Sequence, residues 1–397
     1  MASHHVVPLE VTESQSLQEI ITQKANAVNL NNEDEAFYLV NIGDIIYKFN
    51  TADIRLTTAL DVKNDNIIYS NPCKGLSHLK VALKKGITLM TFDSEGELQR
   101  IKRMVPHAKL LLRLKVDDSK AAFPLGAKYG VPFSRVLHLF KVARKLSLNV
   151  IGISFHVGSG CDDPDSFTKA IEKSKKAFNL AKEIGLDLTL LDIGGGYPGI
   201  EDTLFENVKR DLLIPRLIIL ICMSDLMAKA LYFQVCGAIT EALDKYFPTE
   251  CGVEIIAEPG KYFTTSSMIL VTNVIGKRLR YDDNVKTEQN QSHKESMECM
   301  YHINDGLHGS FLRRLFTKEP FIPNVLKSKS GQFHRSSIWG PTCNGLDCIA
   351  SGQTIPEMEA GDWTYFENLG AYASAASSNF NGFASKERHY YISKEHW

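Results

Sequence analysis

The sequence predicts an α/β region followed by an all-β region, and three observations carry that prediction. Between about residue 67 and residue 257, short apolar runs alternate with helical stretches, the pattern of a parallel sheet, open or closed. Asn71, Asp93, His156 and Gly194 fall where such runs end, the edge at which a (β/α) barrel collects its chemistry. Beyond about residue 267 the texture changes to short strands separated by loops, as in an all-β unit.

Taken in order, residues 1–35 are mixed and polar, with a helix-like segment over 17–27. Residues 35–40 read as a short strand closed by Asn41-Ile42-Gly43-Asp44, and 45–66 show no clean period. Ile67-Ile68-Tyr69-Ser70 is a strand running into Asn71-Pro72-Cys73-Lys74. Helices are then expected over 76–84, 95–105, 133–146, 164–184 and 239–247, and strands over 89–92, 109–116, 150–157, 188–193 and 253–257. Later strands are expected at 268–274, 300–303, 336–339, 362–366 and 389–392, with 281–298 a polar hairpin loop. One block breaks the rhythm. Residues 212–223 are strongly apolar but interrupted by Pro215 and Arg216. A membrane helix needs roughly 20 apolar residues, so this block reads as a buried helix or an insertion.

Composition narrows the function. In 397 residues, Lys+Arg 45 against Asp+Glu 46 leaves a net charge of −1, which points away from nucleic-acid and membrane-surface partners. The eight cysteines include no Cys-x-x-Cys pair, so neither a metal site nor a disulfide framework is indicated. The first ten residues lack the basic and apolar segments of a signal peptide, and a cytosolic location is the expectation.

The chemistry-bearing stretch is Leu190-Leu191-Asp192-Ile193-Gly194-Gly195-Gly196-Tyr197-Pro198-Gly199. A buried strand that empties into glycines exposes successive backbone N–H groups, a way to cradle phosphate. A tight turn explains the glycines equally well, and no P-loop pattern is present. Further motifs are Ser154-Phe155-His156-Val157-Gly158-Ser159-Gly160-Cys161, Ala257-Glu258-Pro259-Gly260-Lys261-Tyr262 and Asn304-Asp305-Gly306. Trp339-Gly340-Pro341-Thr342-Cys343-Asn344-Gly345-Leu346-Asp347 and Glu367-Asn368-Leu369-Gly370-Ala371-Tyr372 follow. Each alone reads as a turn or a cap.

Together, in this order, they resemble the eukaryotic ornithine decarboxylase family, which includes the antizyme inhibitors and related amino-acid decarboxylases. The resemblance runs from about Phe37 to Trp397. It implies a pyridoxal-phosphate (β/α)8 barrel of the alanine-racemase type over 41–267, and a C-terminal β-domain over 268–397 that takes its first strand from 1–40. It implies a homodimer that shares its active sites, an amino-acid substrate and a role in making putrescine. By resemblance, Gly194, Gly195, Gly196, Ser159, Lys261 and Tyr372 hold the cofactor phosphate, Glu258 pairs with the pyridine nitrogen and His156 stacks on the ring. Asp305 and Asn344 meet the substrate's distal amine, Cys343 guides reprotonation, and Lys128 and Asp347 match an ion pair across the dimer.

The departures matter as much. The family's cofactor-attaching lysine lies in a Pro-Phe-Tyr-Ala-Val-Lys-Cys-Asn motif that is absent here. Residues 45–66 are too few for the strand–helix–strand unit, of roughly 30 residues, that should carry it. Val62-Lys63-Asn64 is a faint match only. The barrel is therefore expected to lack its first strands and to carry an insertion near 205–237. Lys261 stands where the family has arginine, which loses a bidentate grip on phosphate, and Asn344 stands where it has aspartate. Two readings follow: an ornithine-type decarboxylase impaired as it stands, or a catalytically inactive, antizyme-binding protein docking through 71–97. A spliced or mis-assembled version of an active paralogue would account for the same departures.

Overall fold

The computed structural model describes residues 16–30, 35–42, 44–45, 67–197, 226–280, 298–316, 321–326, 331–383 and 386–391. Two compact units emerge, one of Met1–Tyr47 with Phe263–Trp397 and the other of Lys48–Tyr262. The chain opens with helix α1 (Leu17–Leu30) and strand β1 (Phe37–Asn41) of the first unit.

The second unit alternates as its sequence dictates: β2 (Ile68–Tyr69), α2 (Leu76–Lys84), β3 (Leu89–Phe92), α3 (Glu95–Met104) and β4 (Lys109–Arg113). After β5 (Ala121–Phe123) come α4 (Phe133–Lys145), β6 (Asn149–Ser154), β7 (Ser159–Cys161), α5 (Pro164–Glu183) and β8 (Leu190–Asp192). Helix α6 (Leu226–Tyr246) and β9 (Glu254–Ile256) complete it. Six strands form one parallel sheet in the order β2-β3-β4-β6-β8-β9, an arc of a (β/α) barrel. Leu110, Leu111 and Leu112 of β4 are all fully buried, as a parallel sheet covered on both faces requires. Helix α5 buries Phe167, Ala170, Ile171, Ser174, Ala177 and Ala181, one stripe at helical spacing. The Asp163 carboxylate caps it by accepting the Asp165 N–H, with Pro164 in the first turn.

The sheet curls. Ser70 follows one edge strand and Glu258 follows the other, and Ser70 Oγ donates to Glu258 Oε2 at 3.1 Å. Among the described residues the two edges are not paired by backbone hydrogen bonds; side chains bridge them at one end.

Three expectations need correction. The strands expected over 109–116 and 150–157 end at Arg113 and Ser154, because the residues beyond leave the ladder to form loops. The helix expected at 239–247 begins at Leu226, so residues 226–237, part of the stretch expected as an insertion, are helical. Its Val235, Ile239, Ala242 and Leu243 are core residues, and with apolar residues on its other faces the polar stripe that marks a helix is faint. Residues 46–66 with Lys63, and 212–223, lie outside the described residues.

The first unit resumes with β10 (Met268–Arg280), β11 (Glu298–Ile303), β12 (Asn324–Val325), β13 (Phe333–Trp339), β14 (Cys348–Pro356), β15 (Trp363–Phe366) and β16 (Glu387–Tyr391). They form a mixed sheet in the order β12-β15-β10-β11-β13-β14, with β1 antiparallel to β10 and parallel to β16. Strand β10 pairs with β15 up to Asn273, shifts register between Val274 and Gly276, and continues against β11. One long strand thus lines two cores. Strand β14 is absent from the strands expected of the sequence because Ser351, Gly352 and Gln353 interrupt its apolar pattern.

Candidate cofactor site

The carboxyl ends of the parallel strands carry a polar belt that the apolar strand interiors make conspicuous. Arg113 ends β4, Ser154 ends β6 and Asp192 ends β8, while Ser70 and Glu258 follow β2 and β9. Arg113 Nη1 donates to Ser154 Oγ at 3.3 Å, and Ser154 Oγ donates to Asp192 Oδ2 at 2.7 Å. The Gly194 N–H donates to Asp192 Oδ1 at 2.9 Å. Thr91 Oγ1 donates to the Ser70 carbonyl at 2.7 Å and so orients the serine that holds Glu258. Glu258 Oε1 is buried, and no N–H or hydroxyl of the described residues reaches it.

His156 stands in the loop after β6. Its Nδ1 accepts the Gly158 N–H at 2.9 Å, which leaves Nε2 to carry the proton. Burial, with Arg113 adding to it, pushes the ring down to about 4, so His156 is neutral at physiological pH. The glycines of the triple run are required by contact. A Cβ at Gly194, with φ +63°, would collide with the Phe155 carbonyl; one at Gly196, with φ +118°, would lie 2.7 Å from Val157. A Cβ at Gly195 would meet the His156 ring at 2.8 Å and the Glu258 carbonyl at 2.8 Å. The loop is thus pressed between the histidine and the glutamate, as the tight-turn reading requires. Ser159 is buried, and Lys261 Nζ lies 3.9 Å from where a Cβ of Gly160 would stand. A Glu258 oxygen with an open acceptor position, a neutral ring and side-chain-free backbone fit an aromatic cation carrying a phosphate.

Lys74 is the one buried lysine among the described residues, and its ammonium is committed to the Thr91 carbonyl at 2.5 Å and to Glu97 at 3.2 Å. Burial lowers its pKa against the opposing pull of Glu97. Lys128 lies with its ammonium 4.9 Å from the centre of the Tyr129 ring.

Asp305, Cys343, Asn344, Asp347 and Tyr372 belong to the other unit. Asp305 is buried, accepts the Gly306 and Ser310 N–H groups at 2.7 and 3.1 Å and the Ser310 hydroxyl at 2.5 Å, and its pKa is raised by burial. Asp347 is buried too. Its carboxylate accepts from Leu307 N at 2.7 Å, Thr342 N at 3.1 Å and Thr342 Oγ1 at 2.5 Å. It therefore braces the turn that presents Cys343 and Asn344. Cys343 Sγ donates to Asn381 Oδ1 at 3.2 Å, while Asn344 Nδ2 lies 2.8 Å from His308 Nε2 and its Oδ1 accepts from Leu346 N at 3.0 Å. Tyr372 is partly exposed, at φ +53°.

Sequence reasoning missed Arg113, Ser154, Asp192 and Ser70. Two of them stand inside quoted motifs, and the available signal was the polar residue closing each apolar run.

Fold and site define the class, a pyridoxal-dependent decarboxylase: the family described as "Pyridoxal-dependent decarboxylase, pyridoxal binding domain" matches residues 49–265. The chain is 36% identical to the ornithine decarboxylase of Rattus norvegicus over 422 positions, covering 96% of this chain and 86% of the relative. That alignment is longer than the chain, so the relative has residues with no counterpart here. It is 41% identical to antizyme inhibitor 2 of Xenopus laevis, over 87% of this chain and 70% of the relative. The Paramecium bursaria Chlorella virus arginine decarboxylase bound to agmatine superposes with a TM-score of 0.77 at 28% identity, covering 94% of this chain and all of that one. The chain belongs to the eukaryotic ornithine decarboxylase family, which takes in the antizyme inhibitors.

Proposed function

We propose that this chain is an ornithine-decarboxylase-type protein that holds pyridoxal phosphate and does not turn over ornithine as it stands. The observation that carries the binding half is Glu258, held by Ser70 through one oxygen and presenting a buried, open acceptor position on the other, beside a neutral His156. The cofactor, when bound, supplies an electron sink for the carbanion left by loss of carbon dioxide. Glu258 would keep its ring nitrogen protonated, His156 would cover one ring face, and Ser159, Lys261 and the Gly194, Gly195 and Gly196 amides would hold the phosphate. Tyr372, Cys343, Asp305 and Asn344 are assigned to phosphate, proton delivery and the substrate's distal amine by resemblance. With Asn344 in place of a carboxylate, the grip on that ammonium is weaker, and a neutral aliphatic amino acid becomes a better fit than ornithine.

The absent turnover rests on the sequence, in which the family's lysine motif is missing, and on Lys74 being committed to Glu97 and the Thr91 carbonyl. A titration of the purified chain with pyridoxal phosphate, followed by fluorescence, tests the binding. Loss of saturable binding in Glu258→Ala with the fold intact is the expected result.

A second reading, an antizyme-binding regulator of polyamine metabolism, is favoured by helix α2. Leu76, Val81 and Leu83 are 56%, 57% and 41% exposed, and Lys80, Lys84 and Lys85 surround them. Likeness to antizyme inhibitor 2 adds support. Co-sedimentation with antizyme, weakened by Lys80→Glu with Lys84→Glu, tests it. Homodimerisation through Lys128 and Asp347, and a cytosolic location, complete the reading.

A further inference from the structure

We propose that His308 is a positioning residue for Asn344: held with its proton on Nδ1, it accepts from the Asn344 amide and locks that side chain in one orientation. The consequence for a ligand rests on the reading above that Asn344 meets the substrate's distal amine; the lock itself is a property of the protein alone.

The argument is one of donors and acceptors. Asn344 Oδ1 accepts the Leu346 N–H at 3.0 Å. A backbone N–H can only donate, so the oxygen end of the amide is fixed and the other end is the NH2 group. That group lies 2.8 Å from His308 Nε2 and has only protons to offer. Nε2 is therefore the acceptor, which puts the ring proton on Nδ1 and leaves the imidazole uncharged. An imidazolium, or the Nε2–H tautomer, would set two donors against each other.

The ring is itself held from behind. It lies 4.1 Å from the Phe380 ring, centre to centre, with 30° between the planes. The His308 carbonyl accepts from Ser378 N at 2.8 Å and from Ser378 Oγ at 3.2 Å. Asn381, in the same segment, accepts from Cys343 N and Cys343 Sγ at 3.3 and 3.2 Å. Residues 378–381 thus brace Cys343 directly and Asn344 through His308. Asn344 lines an open cavity of about 500 Å3 with Cys343, Thr342, Trp339 and His302, and His308 stands outside that lining. The amide is clamped at both ends, so it cannot turn its oxygen towards a ligand ammonium without breaking both bonds.

The test reads the tautomer directly. Nuclear magnetic resonance spectra of the whole protein with 15N-labelled histidine and asparagine are taken at about pH 8, above the ordinary histidine value of about 6.5. His308, assigned by the loss of its signals in His308→Gln, should show a protonated Nδ1 and an unprotonated Nε2. A scalar coupling should cross the N–H···N bond from Asn344 Nδ2 to His308 Nε2. His308→Phe keeps a ring against Phe380 but has no acceptor, so the Asn344 amide should gain mobility; His308→Gln offers an amide oxygen and should restore its rigidity. Equilibrium dialysis of the cofactor-loaded protein against labelled ornithine and leucine supplies the second readout. His308→Phe should raise the ornithine-to-leucine affinity ratio by about twofold to tenfold, the worth of one hydrogen bond, and His308→Gln should keep the wild-type ratio. A wild-type His308 protonated at Nε2, or one without the coupling, overturns the proposal, and these spectra stand even if His308→Phe folds poorly. So does a ratio that His308→Phe leaves unchanged when both amino acids bind. Failure of both amino acids to bind would count against Asn344 as a substrate residue and leave the resonance spectra to decide this proposal.

Discussion

Ser70 Oγ donates to Glu258 Oε2 across 3.1 Å, joining the residues that follow the two edge strands of the parallel sheet. The bond does two things at once: it ties the ends of the arc together and it fixes the acid that would face the cofactor. A hydrogen bond to a charged group contributes about 1.5–3 kcal/mol. Ser70→Ala should therefore weaken pyridoxal phosphate binding by roughly tenfold or more, measured by fluorescence titration, and Ser70→Thr should recover part of the loss.

The histidine gives the protein a pH signature. His156 is held down at about 4 in the folded state, against about 6.5 unfolded. The unfolded chain thus binds more protons between these values, and the stability His156 contributes is complete above 6.5 and lost as pH falls towards 4. The slope cannot exceed about 1.4 kcal/mol per pH unit. Chemical denaturation between about pH 4 and 7 should show this slope in the wild type, and His156→Phe should remove it.

Two glycines separate contact from backbone freedom. Gly194 and Gly185 both have positive φ, +63° and +76°, but a Cβ at Gly185 meets nothing within 4 Å. Gly185→Ala should cost about 1–2 kcal/mol, the penalty of left-handed backbone. Gly194→Ala adds a collision with the Phe155 carbonyl, so it should cost roughly 1–3 kcal/mol more. Thermal melts of the two variants side by side read the difference.

The Asp347 carboxylate satisfies three donors in the Thr342–Asp347 turn and its neighbour Leu307. Asp347→Asn keeps the shape but turns one acceptor into a donor against Thr342 or Leu307, at about 1–3 kcal/mol for the stranded group. The turn should loosen, and Cys343, already exposed, should react faster with a thiol reagent as its bond to Asn381 breaks. An unchanged rate with unchanged stability would mean the turn is braced by other contacts.

Much of this molecule could be read from its sequence where period and punctuation agree. The alternation from Ile67 to Ala257 points to the parallel sheet, since each apolar run is closed by a polar or glycine residue. The beginning of α6 was hidden because residues 226–237 carry apolar side chains without a polar stripe to set the period. The belt of Ser70, Arg113, Ser154 and Asp192 was hidden for another reason. Each is a single polar residue at a strand end, and only the curl of the sheet brings them to one another. Asp347 could be matched only by resemblance, to an ion pair across a dimer, and its hydrogen bonds to Leu307 and Thr342 carry no signal in the sequence.

The central claim is that the chain keeps the cofactor site and lacks turnover. The most direct measurement combines equilibrium dialysis of the purified chain against pyridoxal phosphate with carbon dioxide release from labelled ornithine in the same preparation. The account predicts saturable binding of the cofactor, removed by Glu258→Ala, together with no release of carbon dioxide above the protein-free control. Release that depends on protein concentration, or absence of saturable binding by folded protein, would contradict it.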